Sequence, residues 1–246
     1  MRHPRVDIDV IGIVVPARNE EVRLPRCLAA LEAATVSMRA ADTAAPRVRA
    51  IVVVDGSTDG TLRVAKQWPG VEVLTSNAGR VGAARRAGVQ HFLRTEADTA
   101  TGPERVWVAN TDADSAVPSD WLSSHNVHAR SGVELLLGTV RPDPQELAAG
   151  LLAAWRLRHL IADGHPHVHG ANLGVRGDSY LAAGGFPDVA THEDVLLSAA
   201  VRRAGRVVLS TGSSPVLTSG RTTGRAPDGM ASYLRELGQV EVSLEA

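Results

Sequence analysis

Val106-Trp107-Val108-Ala109-Asn110-Thr111-Asp112-Ala113-Asp114 is a short apolar run that stops at two carboxylates one residue apart. Such a run reads as a buried strand of a parallel sheet, and residues just past a strand's carboxyl end lie where open α/β sheets bind ligands. Alternate side chains of an extended chain point the same way, so Asp112 and Asp114 converge on one hard divalent cation, Mg²⁺ or Mn²⁺. A cation held by one or two carboxylates completes its shell with water and substrate phosphates, which makes a diphosphate the expected ligand. Two aspartates in a turn also cap a following helix, here one beginning near Ser119, so the pair taken alone leaves both uses open.

Outward from this segment, apolar runs alternate with helical patterns. Val10 to Val15 reads as a strand ended by Pro16, and Leu24, Leu28 and Leu31 recur at helical spacing. The polar, alanine-rich stretch Arg39 to Pro46 reads as a surface loop, and Ile51 to Val54 as a second strand closed by Asp55-Gly56-Ser57. A helix is expected over Thr58 to Trp68, a third strand over Val71 to Leu74 and a helix over Arg80 to Thr95, with Ala97 to Glu104 a loop. This rhythm indicates a mostly parallel sheet covered on both faces. Past Asp114 the pattern predicts a helix near Ser119 to Arg130, a strand over Glu134 to Val140 and a long helical stretch from Pro144 to Ala162. The run Ala171 to Val175, a helix from Glu193 to Ala204, a last strand over Val207 to Leu209 and a closing helix bearing Met230, Tyr233, Leu234 and Leu237 follow. The break near Thr211 reads as a loop, so residues 1–246 are expected to form one domain, with a core over about 10–210 and a C-terminal loop and helix over 211–246.

With 44% hydrophobic and 22% charged residues, the 246-residue chain has the composition of a soluble globular enzyme. A formal net charge of −1 removes any global electrostatic argument for nucleic acid or an anionic membrane, leaving only a local basic patch. Lys66 is the single lysine, so positive charge resides in arginines, which contact phosphate bidentately. One cysteine, Cys27, excludes an internal disulfide and a multi-cysteine zinc site, and its place on the first helix suits a buried, inert thiol. No apolar window is long enough to span a membrane and the N-terminal run is too short for a signal-peptide core, so a cytoplasmic protein is expected. Leu147 to Ile161 carries a broad apolar face with Arg156, Arg158 and His159; a helix packed on the sheet is expected, and a peripheral membrane contact is the alternative.

Several segments, in order, resemble the family 2 glycosyltransferases. They are Val14-Val15-Pro16-Ala17-Arg18-Asn19-Glu20-Glu21, Val53-Val54-Asp55-Gly56-Ser57-Thr58-Asp59-Gly60-Thr61, the D-x-D, Gly170-Ala171-Asn172-Leu173, Gly184-Gly185-Phe186, and Glu193-Asp194 followed by Arg202-Arg203-Ala204-Gly205. The resemblance covers about residues 10 to 210. It implies the nucleotide-diphospho-sugar transferase fold called GT-A, an α/β fold with a mostly parallel central sheet and helices on both faces. It also implies a metal-dependent, inverting hexosyltransferase that moves a sugar from a nucleotide-diphosphate donor, UDP- or GDP-linked, to a hydroxyl acceptor, lipid or glycan.

The resemblance assigns roles that agree with the chemistry of the residues. Pro16, Arg18, Glu20 and Asp55 stand at strand ends and look like nucleotide-pocket residues, although Asn19-Glu20-Glu21 is also an ordinary helix start and Asp59 caps a helix equally well. Asn77-Ala78-Gly79-Arg80-Val81-Gly82-Ala83-Ala84-Arg85 resembles the family's glycine-containing turn, from which Arg80 and Arg85 approach the nucleotide or its phosphates. Asp114 is the direct metal ligand, and Asp112 shares the metal or holds the ribose. Asp194 is the base that takes the acceptor proton and Glu193 orients it, while an acidic pair is equally at home at a helix start. His169 and Asn172 are expected on the acceptor side. His165, His167 and His169 alternate, but Pro166 and Gly170 favour a loop over a zinc strand. Trp121 and Trp155 read as packing residues. Ser219-Gly220-Arg221-Thr222-Thr223-Gly224-Arg225 reads either as a solvated loop or as a lid whose Arg221 and Arg225 clamp the diphosphate. A nucleotidylyltransferase of related fold and a non-catalytic nucleotide-sugar binding protein are the alternatives; the former lacks its glycine-rich signature near the first strand.

Overall fold

Every residue of the first strand, β1 (Val10–Ala17), is buried, because both faces of the sheet are covered. Ile11, Ile13 and Val15 point into one hydrophobic cluster and Val10 and Val14 into the other. Gly12 stands where a Cβ would meet the Phe92 ring at 2.3 Å, so the missing side chain makes room for the helix behind it. The computed structural model describes residues 6–97, 99, 101–159, 161–224 and 229–245, the last six by backbone alone.

In chain order the elements are α1 (Leu24–Ala41), β2 (Arg47–Asp55), α2 (Thr61–Gln67), β3 (Val71–Ser76), α3 (Val81–Ala97), β4 (Val106–Asn110), β5 (Ser115–Ala116) and α4 (Trp121–Arg130). They continue with β6 (Leu135–Pro142), α5 (Ala149–Arg158), β7 (Leu173–Arg176), α6 (Gly177–Ala182), α7 (Glu193–Arg203), β8 (Val208–Thr218) and α8 (Met230–Glu245). They form one eight-stranded sheet of order β3-β2-β1-β4-β7-β6-β8-β5. β1 runs parallel to β2 and β4, β2 to β3, and β6 to β8; β7 is antiparallel to β4 and β6, and β5 to β8. The sequence-predicted alternation of strands and helices and the mostly parallel sheet are therefore present. β1, β2 and β4 end together, and the segments leaving them line one cavity.

Four expectations need correction. α1 continues to Ala41, through the first residues expected to be loop, because Met38 still reaches the core. The helix predicted over Pro144 to Ala162 shrinks to α5, since Asp143 accepts the Gln145 amide in a turn and the chain is extended at Ala148. α5 buries Ala154 and Trp155 against Leu234 and Leu237 of α8, a cluster separate from the two that cover the sheet. The final strand is 11 residues long and passes through Thr211. The loop expected near Thr211 is instead a bulge in that strand: β6 residues Gly138 and Val140 face β8 residues Thr211 and Val216, and Ser214 takes a φ of 52°.

Behind β4, His125 of α4 is buried between Trp107, whose Nε1 donates to His125 Nδ1 at 3.0 Å, and Trp121. Burial pushes the imidazole down to about 3 from an ordinary 6.5. The fold thus holds His125 neutral while the unfolded chain takes a proton below about 6.5, so its stabilisation is complete above that pH and is lost as pH falls toward 3. His125→Asn is expected to destabilise the protein at pH 8, and the gap to wild type should shrink by ~1.4 kcal/mol per pH unit below the unfolded value. Urea midpoints between pH 8 and 5 measure this; a gap independent of pH would refute it.

Candidate active site

A cavity of about 570 Å³ opens at the carboxyl ends of β1, β2 and β4. Pro16, Arg18, Glu20, Asp55, Arg85, Asp112, Asp114, His169, Glu193, Asp194 and Arg221 all line it. Of the residues predicted for the site, only Asn172 faces elsewhere among those described; Arg225 lies outside the described residues.

The loops that leave β1 and β2 are tied to each other. The Thr58 amide donates to Asn19 Oδ1 at 2.7 Å, the Asn19 amide to Ser57 Oγ at 3.0 Å, and the Glu20 amide to Thr61 Oγ1 at 2.7 Å. Asn19 adopts a φ of 51°, a left-handed conformation that asparagine tolerates better than most residues. Asp59 accepts the Thr61 amide and hydroxyl and so serves the start of α2. Asp55 is buried on the cavity wall, and its Oδ1 has no hydrogen-bond partner among the described residues.

After β4 the chain turns, the Ser115 amide donating to the Asp112 carbonyl at 3.0 Å. Thr111, Ala113 and Ser115 face inward and Asp112 and Asp114 face the cavity, so the two carboxylates point the same way as expected. Each has an arginine. Arg85 of α3 donates one Nη to Asp112 and the other to Glu193. Arg221 donates to Glu20 at 2.7 Å and reaches Asp114 at 2.8 Å. Burial opposes the Arg85 charge, but Asp112 and Glu193 outweigh it and hold the guanidinium protonated. Burial, reinforced by Asp112, pushes Asp114 up to about 6. Below the pair, Cys27 is buried with its thiol pushed up by burial and by the carboxylates, and Sγ contacts the Asp112 carbonyl at 3.3 Å, as befits an inert thiol.

Glu193 and Asp194 open α7 but differ in surroundings. Glu193 is buried, which pushes its carboxyl up against the pull of Arg85. Asp194 is half-buried at the cavity, and its oxygens accept the Gly170 amide at 2.7 Å and the Val195 amide at 2.8 Å. The residue before them, His192, holds a φ of 64° and lines the cavity. A left-handed non-glycine costs on the order of 1 to 3 kcal/mol, and no pattern in the sequence announces it.

His165, His167 and His169 are stacked rather than convergent, with neighbouring centroids 5.9 Å apart. His165 Nε2 donates to the Leu137 and Thr211 carbonyls, which removes that nitrogen as a ligand. Burial and the neighbouring imidazoles push His169 down to about 3, so it presents a neutral ring to the cavity. Trp121 and Trp155 are buried packing residues.

Asn172 corrects the expectation of an acceptor-side residue. Its Oδ1 accepts Trp121 Nε1 at 2.8 Å, and its Nδ2 donates to the Thr139 and Ser214 carbonyls at 2.8 and 3.2 Å. Those carbonyls belong to the bulged stretch of β6 and β8, where the ladder leaves them without strand partners, and a buried amide supplies both needs. Gly138 makes way for it; a Cβ there would meet the amide at 2.3 Å.

The sequence profile described as "Glycosyl transferase family 2" matches residues 12–146, more than half of the chain. The chain belongs to this family and is a glycosyltransferase. No curated protein matches the chain significantly. Among solved structures, S. aureus TarS 1–349 superposes with a TM-score of 0.57 at 15% identity, over 92% of this chain and 68% of that one. Mannosyltransferase PcManGT from Pyrobaculum calidifontis, in complex with GDP-Man and Mn²⁺, gives 0.56 at 18% identity over 97% and 64%. Glucosyl-3-phosphoglycerate synthase from Mycobacterium tuberculosis, with Mg²⁺ and UDP, gives 0.54 at 18% identity over 96% and 79%. The chain spans 42% of a longer TarS chain. The fold is GT-A.

Asn172→Ala leaves Trp121 Nε1 and two carbonyls unpaired, each worth about 1 to 3 kcal/mol. It is expected to lower stability by about 3 kcal/mol or more while the folded fraction keeps its nucleotide affinity. Urea denaturation with parallel nucleotide titration checks this; an intact midpoint with weakened acceptor KM would return Asn172 to the acceptor side.

Proposed function

We propose that this glycosyltransferase moves a sugar from a UDP- or GDP-linked donor to an acceptor hydroxyl, with inversion at the anomeric carbon and with Mg²⁺ or Mn²⁺. The observation that carries the reading is one cavity in which the strand-end carboxylates Asp112 and Asp114 meet Asp194, the accessible member of an acidic pair. The donor set suits a cation. Glu20, Asp112, Asp114, Glu193 and Asp194 outnumber Arg85 and Arg221, the guanidiniums paired among them, and Asp114 is buried beside a like charge. Asp114 and Asp112 would hold a divalent ion, whose positive charge would stabilise the departing diphosphate.

The chain's own groups do the rest. Asp55, whose buried Oδ1 has no partner among the described residues, accepts from the base, while Pro16, Arg18 and Glu20 bracket base and ribose. Asp194, oriented by two amides, takes the proton of the acceptor hydroxyl as its oxygen attacks the anomeric carbon from the side opposite the leaving nucleotide. Glu193 positions it, and neutral His169 borders the acceptor. Arg221, held by Glu20 and Asp114, serves a lid over the donor, with Arg225 as its expected second cation. Residues 1–246 act as one catalytic unit: the sheet extends unbroken to β8, and Met230 and Ala231 of α8 line the same cavity. The acceptor is a lipid or a glycan, and exposed Leu157 between Arg156 and Arg158 on α5 is the one feature there that a peripheral membrane contact could use. No helix among the described residues is long and apolar enough to cross a membrane. A nucleotidylyltransferase or a non-catalytic binder gains no support from the family match.

Asp194→Asn is expected to keep donor affinity and lose turnover by about 10²-fold or more; a larger loss from Glu193→Gln would exchange the two roles. Asp114→Ala, or wild type in chelator, should lose both transfer and tight nucleotide binding, and full activity of either would refute the metal. Arg221→Ala should raise the donor KM; unchanged kinetics would leave a plain loop.

A further inference from the structure

Arg85 joins the carboxylate at the end of β4 to the one at the start of α7. Its guanidinium is buried, with one Nη on Asp112 at the end of β4 and the other on Glu193 at the start of α7. Two glycines hold this fork in register. A Cβ on Gly170 would lie 2.5 Å from the guanidinium carbon, so the Gly170 backbone lies against the plane. A Cβ on Gly82 would lie 2.8 Å from Glu193 Cβ, so α3 itself presses on the residue that Arg85 grips. Gly170 also donates its amide to Asp194, so the residue beside the guanidinium is bonded to the candidate base.

The sequence leaves Arg85 either a contact to the nucleotide or its phosphates or a surface charge; in the structure it is buried and both of its terminal nitrogens go to carboxylates. A planar fork locked by two partners transmits displacement where a flexible point charge would not. A buried ion pair is in general poor value for stability, and register or switching is its best-attested use. The start of α7 is a suitable element to be set this way, because His192 holds a strained turn before it.

We infer that Arg85 is a positioning residue that couples the donor seat at Asp112 to the base-bearing start of α7 through Glu193, so that filling the donor site sets the placement of Asp194. This rests on the proposed donor and base. Coupling is reciprocal in binding free energy, so nucleotide at one end orders the other and loosening either end weakens both.

Hydrogen exchange of a peptide over residues 188–197, with and without UDP or GDP plus Mn²⁺, tests it. Wild type is expected to gain protection there on nucleotide binding. Arg85→Lys keeps the charge but not the fork; it should still bind nucleotide, about fivefold or more weakly than wild type, lose that protection when saturated, and lose turnover by about tenfold or more. Glu193→Gln carries the same test should Arg85→Lys fail to fold. A merely structural Arg85 would lower the melting temperature and leave the nucleotide-induced protection in place in the folded variant, which overturns the inference. Nucleotide binding with no change over 188–197 in wild type also overturns it. Wild type binding neither UDP nor GDP with Mn²⁺ fails the donor reading itself, and the coupling with it.

Discussion

Carboxylates crowded at the ends of parallel strands require counter-charge, and this requirement organises the cavity. Asp112 and Asp114 leave β4, and Glu20 leaves β1, all toward one space. Two guanidiniums arrive from distant points of the chain to meet them: Arg85 from α3 and Arg221 from the segment after β8. Neither neutralises the cluster completely. The carboxylates left without a full counter-charge are the residual negative charge on which the proposed cation and diphosphate binding rests.

The route of the chain to that space depends on the bulge in β8. Pro215 cannot donate to a ladder and Ser214 is left-handed, so the strand pauses against β6 and resumes at Val216. Asn172 satisfies the carbonyls thus released. Only because the strand resumes does Thr218 reach Ser115, with their hydroxyls 2.9 Å apart, and only then does Arg221 fall beside Asp114. A side chain expected at the acceptor cleft thereby supports the Asp114 wall of the cavity from within the core.

The first half of the fold was legible because each strand there is a continuous apolar run and each helix an amphipathic one, so local pattern and buried surroundings agree. Legibility fails where tertiary partners replace local signals. α5 looks like a long helix because Leu147 to Ile161 carries a broad apolar face, yet part of that apolarity serves packing on α8. Thr211 to Pro215 has turn composition and is strand, because its free carbonyls find a side-chain donor from β7's approach.

The order of motifs indicated the family, and periodicity and strand ends indicated the sheet; all but one of the described residues picked for the site do line the cavity, since such residues follow from where strands stop. Tertiary structure alone decided which acidic residue is accessible, that Arg85 bridges Asp112 and Glu193, that Arg221 reaches Glu20 and Asp114, and that Asn172 is internal. Those facts are pairings between groups up to 201 positions apart. Sequence lists the groups available for such pairings, but a charge chooses its partner by distance and burial, and both exist only once the chain has folded.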